Sequence, residues 1–116
     1  MKMLAVEDDV AIRHLLPRIL ELNGYEVTIA SNAKEALEKF KEEKFDVVLT
    51  DYHMPPGMNG ISLAEAIKTI NPKTPVVLMS GHPPDQKPQC VDLLLMKPLR
   101  KQERALIDEL VSRQNP

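Results

Sequence analysis

Four short aliphatic runs punctuate the chain: Met3-Leu4-Ala5-Val6, Val47-Val48-Leu49-Thr50, Val76-Val77-Leu78-Met79 and Leu93-Leu94-Leu95-Met96. Such runs fit strands buried on both faces of a parallel sheet. Helical periodicity separates them, and that alternation of βα units confines the chain to an open α/β architecture. The runs end in Glu7-Asp8-Asp9, Asp51, Ser80-Gly81 and Lys97-Pro98 respectively. In parallel strands these groups all project from one carboxyl edge, where open α/β folds place their ligands. Carboxylates, a hydroxyl and an ammonium gathered there predict a site for a divalent cation and a phosphoryl group.

The intervening segments supply the remaining elements. Ile12, Leu15, Leu16, Ile19 and Leu20 recur at helical spacing, and Asn23-Gly24 gives a stop. Pro17 falls inside that helix, where it removes one backbone hydrogen bond and is expected to bend it. Glu26 to Ala30 reads as a strand. Asn32 with Glu35 resembles a capping box ahead of Ala33, Ala36, Leu37 and Phe40. Asp46 to Thr50 reads as the next strand, and Met54 to Gly60 is a loop by its turn residues. Ile61, Leu63, Ala64, Ile67 and Ile70 predict a helix that Asn71-Pro72 ends, and Leu106, Ile107, Leu110 and Val111 mark the last one. Between Ser80 and Asp92 the space is close to the minimum of about 10–12 residues for a parallel crossover. Pro83, Pro84 and Pro88 suppress helix there, so the fourth crossover helix is expected to be shortened or replaced by a loop.

Length sets an expectation of one domain spanning residues 1–116. With only two Phe and two Tyr and no Trp, aliphatic packing must build the core. The net charge of −2 and the lack of a basic run argue against direct contact with nucleic acid. The lone Cys90 excludes an internal disulfide and fits a reducing cytoplasm; it reads as a buried small side chain, not a redox group. No run is long enough to span a bilayer.

Glu7, Asp8 and Asp51 as neighbours would repel unless protonated or bridged by a cation. Hard oxygen donors suit Mg²⁺, which uses one or two carboxylates with phosphate oxygens. Aspartate is a known nucleophile in acyl-phosphate chemistry, Lys97 can hold a phosphoryl oxygen as a point charge, and the Ser80 hydroxyl can donate to another. Each element has a plainer reading. Asp9 reads as a helix N-cap, Glu7 and Asp8 as solvated surface, Asp51 as a turn residue and Lys97-Pro98 as a strand exit. The specificity lies in the ordered combination.

That combination, carried by Leu4 to Asp9, Val47 to Pro55, Met58-Asn59-Gly60, Ser80-Gly81 and Lys97-Pro98, resembles the receiver domain of two-component response regulators over essentially the whole chain. The resemblance implies a flavodoxin-like, doubly wound five-stranded parallel sheet of order 2-1-3-4-5 with helices on both faces. It implies that Asp51 accepts a phosphoryl group from a sensor histidine kinase or phosphotransfer protein. Mg²⁺ would be bound by Glu7, Asp8, Asp51 and the His53 backbone carbonyl. Ser80 would swing toward the phosphoryl group and Lys97 would pair with it. Output would run through protein contacts, from a stand-alone receiver or from a piece of a longer protein.

Departures from that pattern are specific. The loop Pro55 to Gly60 looks one residue longer than usual, Leu94 stands where the family has an aromatic switch, and the fourth helix is curtailed. His53 and His82, two positions after Asp51 and Ser80, either set the lifetime of the phosphorylated state or are loop histidines without a role; His14 reads as solvent-facing. Two competing functions are a Mg²⁺-dependent phosphohydrolase with an aspartyl nucleophile and a binding module that is never phosphorylated. Flavin binding on this topology fails, because the loop after the first strand is acidic where a flavin phosphate needs backbone donors.

Overall fold

A computed structural model describes residues 1–54 and 59–114. The elements are β1 (Lys2–Val6), α1 (Val10–Glu21), β2 (Glu26–Ala30), α2 (Ala33–Glu42), β3 (Val47–Asp51), α3 (Gly60–Ile70), β4 (Val76–Ser80), β5 (Leu93–Met96) and α4 (Lys101–Gln114). The strands form one parallel sheet ordered β2-β1-β3-β4-β5. This is the flavodoxin-like arrangement that the resemblance implies.

Alternation along each strand divides the core in two. Met3, Ala5, Val47, Leu49, Val77 and Met79 pack with Leu16 and Leu20 of α1 and with Ile107, Leu110 and Val111 of α4. Leu4, Val6, Val48, Val76 and Leu78 face the other way, against Ala33, Ala36 and Phe40 of α2 and Leu63, Ala64 and Ile67 of α3. Fully burying one such aliphatic side chain is worth about 1.5–3 kcal/mol. The central strands β1, β3 and β4, apolar on both faces, therefore make a rigid base for whatever sits at their ends.

Helix boundaries follow local chemistry. Asp9 caps α1 by accepting from the Ile12 N–H at 3.0 Å, and Asn59 caps α3 by accepting from Ser62 at 2.9 Å. At α2, Asn32 accepts from the Glu35 N–H at 2.8 Å, but the Glu35 carboxylate turns back to the Ser31 hydroxyl, one residue earlier than a capping box requires. After α1 the chain turns through Gly24 at φ +89, a conformation glycine reaches without Cβ strain. Helix α1 continues through Pro17 to Glu21.

Three positions read as core from their spacing are exposed: Leu15, Ile70 and Leu106. Helical spacing predicts a broad apolar stripe, whereas the sheet contacts only its central residues. Strand β3 runs one residue further than the aliphatic run, so that Asp51 belongs to the sheet. Between β4 and β5 there is no helix. Val91 from this connection is buried against the α2–α3 side, while Cys90 is half-buried, with its thiol 3.8 Å from the Ile61 carbonyl. Burial and then the nearby Glu65 carboxylate push that thiol pKa up, away from reactivity.

Candidate functional site

Strand register brings the predicted groups to one level of the sheet edge. Val6 pairs with Thr50, so Glu7 emerges beside Asp51. Asp51 pairs with Met79, just before Ser80, and Ser80 pairs with Met96, just before Lys97. One oxygen from each of Glu7, Asp8 and Asp51 lies within 4.8 Å of the others. The Lys97 ammonium stands 3.1 Å from Glu7 Oε2 and 3.0 Å from Asp51 Oδ2, bridging the two acids. Lys97 is held at this level by its own N–H, which donates to the Ser80 carbonyl at 2.9 Å. The Lys97–Pro98 peptide is cis.

The electrostatics follow from burial. Glu7 is only 1% exposed, and desolvation, reinforced by the Asp51 charge, raises its pKa to about 7 despite the opposing Lys97 contact. Its other oxygen accepts from the Asp9 N–H at 3.2 Å. For Lys97, burial pulls the pKa down, but hydrogen bonds to Asp51 and Glu7 outweigh it and the net shift is upward. Asp51 is also buried, whereas Asp8 is half-exposed and opens the cluster to solvent. Three convergent carboxylates form a hard, anionic donor set with a solvent-facing member, and this chemistry fits a hydrated Mg²⁺.

Ser80 is buried, and its Oγ accepts from the His82 N–H at 3.0 Å, which leaves the hydroxyl proton available as a donor. His53 and His82 are exposed. The His53 ring stacks on Tyr52 with centroids 4.6 Å apart. Among the described residues, neither imidazole hydrogen-bonds to the acidic cluster. His14 is exposed, and Leu94 packs half-buried against the α2–α3 side of the core. The expected lengthening of the loop at 55–58 lies outside the described residues.

Two supporting residues were not read as such from the sequence. Gly60 begins α3 so close to β3 that a Cβ there would lie 2.3 Å from the Asp51 carbonyl oxygen and 2.7 Å from Leu78 Cδ1. Its signal was the Asn59-Gly60 pair, an N-cap followed by a residue without a side chain. Thr50, fully buried, donates its hydroxyl to the same Asp51 carbonyl at 3.0 Å; nothing in the sequence distinguishes it from an ordinary strand threonine.

A five-stranded 2-1-3-4-5 sheet with an acidic trio and a lysine converging on its carboxyl edge defines a flavodoxin-like α/β domain with a charged site where such folds bind ligands. The family model described as "Response regulator receiver domain" matches residues 3–112, and the chain belongs to that family, a component of two-component signalling. Among curated relatives, the transcriptional regulatory protein ZraR of Klebsiella oxytoca is 42% identical over 79 residues, covering 68% of this chain and 18% of ZraR. The DNA-binding transcriptional regulator NtrC of Escherichia coli is 40% identical over 77 residues, covering 66% of this chain and 16% of NtrC. The chain thus matches less than a fifth of the length of these relatives. Of solved structures, a response regulator receiver domain protein from Clostridium thermocellum superposes with a TM-score of 0.85 at 28% identity, covering 97% of this chain and 95% of that one. The response regulator protein TrrA of Thermotoga maritima, in complex with Mg²⁺-BeF, gives 0.83 at 29% identity, covering 97% of each chain.

Proposed function

We propose that Asp51 accepts a phosphoryl group from a sensor histidine kinase or phosphotransfer protein, and that residues 1–116 act as one receiver unit passing this state to a protein target. The observation that carries this reading is the Lys97 bridge to Asp51 and Glu7 within a three-carboxylate cluster. An Asp51 carboxylate oxygen attacks phosphorus, the new P–O bond forms as the donor's P–N bond breaks, and the imidazole leaves with that electron pair. The Lys97 ammonium, already 3.0 Å from Asp51 Oδ2, shifts to a phosphoryl oxygen, and the Ser80 hydroxyl donates to another. Glu7, Asp8, Asp51 and the His53 carbonyl would hold Mg²⁺, which when bound neutralises phosphoryl charge. Little acid–base chemistry is required, because positioning and charge stabilisation carry phosphoryl transfer. Exposed His53 and His82, two positions after Asp51 and Ser80, would tune how long the acyl phosphate lasts. That the similar TrrA forms a complex with Mg²⁺-BeF supports a role for Mg²⁺ in this reading.

Intact-mass measurement after incubation with Mg²⁺ and a small acyl phosphate tests the assignment. One added phosphoryl group is expected, absent in Asp51→Asn and in chelator. Unmodified wild-type protein, or an Asp51→Asn variant labelled to the same extent, would overturn it.

A further inference from the structure

Strand β5 is four residues long, paired among the described residues only with β4, and reached by a connection without a helix. That connection supplies no crossover helix to register the strand, and its packing on the core is confined to Val91 and the half-buried Cys90. Register nevertheless decides where Lys97 lies. A slip of one residue displaces the strand by about 3.3 Å and exchanges its two faces. The contacts of Lys97 with Asp51 and Glu7, at 3.0 and 3.1 Å, do not survive such a slip.

The entrance to β5 is fastened instead by a polar knot. Asp92 Oδ2 accepts from the Val76 N–H at 2.8 Å and from the Lys68 ammonium at 2.7 Å. The Asp92 N–H donates to the Val76 carbonyl at 2.9 Å, so Asp92 grips the first residue of β4 twice. Lys68, from the last turn of α3, also donates to the Thr74 carbonyl at 2.7 Å and lies 3.4 Å from that of Pro72. The ammonium at the end of α3 therefore has three acceptors, two on the connection leading into β4 and one at the entrance to β5. The Lys68 and Asp92 side chains are only 20% and 28% exposed, which strengthens the pair relative to a solvated one.

We infer that Asp92 and Lys68 are positioning residues for the proposed phosphoryl-transfer site: they register β5 on β4 and so deliver Lys97 to Asp51. The inference deepens the function proposed above and rests on it for its consequence, though the placement of Lys97 can be read separately. With lysine-labelled protein, NMR detection of a slowly exchanging Lys97 ammonium, assigned through Lys97→Met, reports the bridge directly. The signal is expected in wild type and in Asp92→Asn, which keeps an oxygen acceptor, and lost in Asp92→Ala at temperatures where its amide spectrum remains folded. Lys68→Gln, a milder change, is expected to weaken it. Labelling by acyl phosphate is expected to fall by roughly 100-fold in Asp92→Ala, the scale of an ångström-sized misplacement. An undisturbed ammonium signal in folded Asp92→Ala refutes the inference, even where its melting temperature drops. If that signal is lost but wild type takes no phosphoryl group, the function proposed above fails while the register role stands.

Discussion

At the scale of single residues, Gly60 and Glu7 constrain the site most. A methyl group on Gly60 meets a backbone carbonyl, which cannot rotate away, so α3 or the end of β3 must shift. Gly60→Ala is expected to destabilise the fold by about 1–3 kcal/mol, the usual cost of overpacking, in thermal unfolding. An unchanged melting temperature would mean that α3 stands off Asp51 by more than described. Glu7 carries the pH dependence. Its pKa rises from 4.5 to about 7 on folding, so the folded chain holds the proton more tightly than the unfolded one. The stability this contributes is complete below pH 4.5 and is lost as pH climbs through 7. Without divalent cation, wild type should therefore lose stability relative to Glu7→Gln between pH 5 and pH 8, and saturating Mg²⁺ should shrink that loss. A melting-temperature difference flat across the window contradicts the assignment.

At the scale of elements, α4 is tied to the carboxyl end of α1 by polar contacts as well as by apolar packing. The Tyr25 hydroxyl donates to Asp108 Oδ1 at 2.7 Å, and Asn23 Nδ2 donates to Asp108 Oδ2 at 2.9 Å. Arg104 closes the group by donating to Asn23 Oδ1 at 3.2 Å. Burial and then the Asp108 hydrogen bond push the Tyr25 phenol pKa up, so the hydroxyl remains a donor throughout the neutral range. Tyr25→Phe is expected to cost about 1–2 kcal/mol, the value of a hydrogen bond to a charged acceptor, measured by denaturant unfolding. No loss would show that Asn23 alone satisfies Asp108. This staple was invisible in the sequence, because Tyr25 and Asp108 are 83 residues apart and neither sits in a motif. The strands and capped helices were legible because each depends on neighbouring residues: an aliphatic run, an Asp or Asn before a helix, prolines where a helix fails to form. Leu15 and Leu106 misled for the same reason, since spacing says which residues share a face but not how much of that face the sheet covers.

At the scale of the whole molecule, the convergence of Glu7, Asp8, Asp51 and Lys97 followed from the combination of motifs at strand ends, and the sheet order from the family those motifs resemble. The devices that steady them did not, because Gly60, Thr50, Lys68 and Asp92 act through backbone groups that a sequence does not display. Helix α3 joins these devices into one body. As an 11-residue rod of about 16 Å, it abuts the Asp51 carbonyl with its head and braces the entrance to β5 from its tail. A partner that tilted that rod would therefore be expected to move the backbone beneath both halves of the charged pair at once, without touching the pocket mouth.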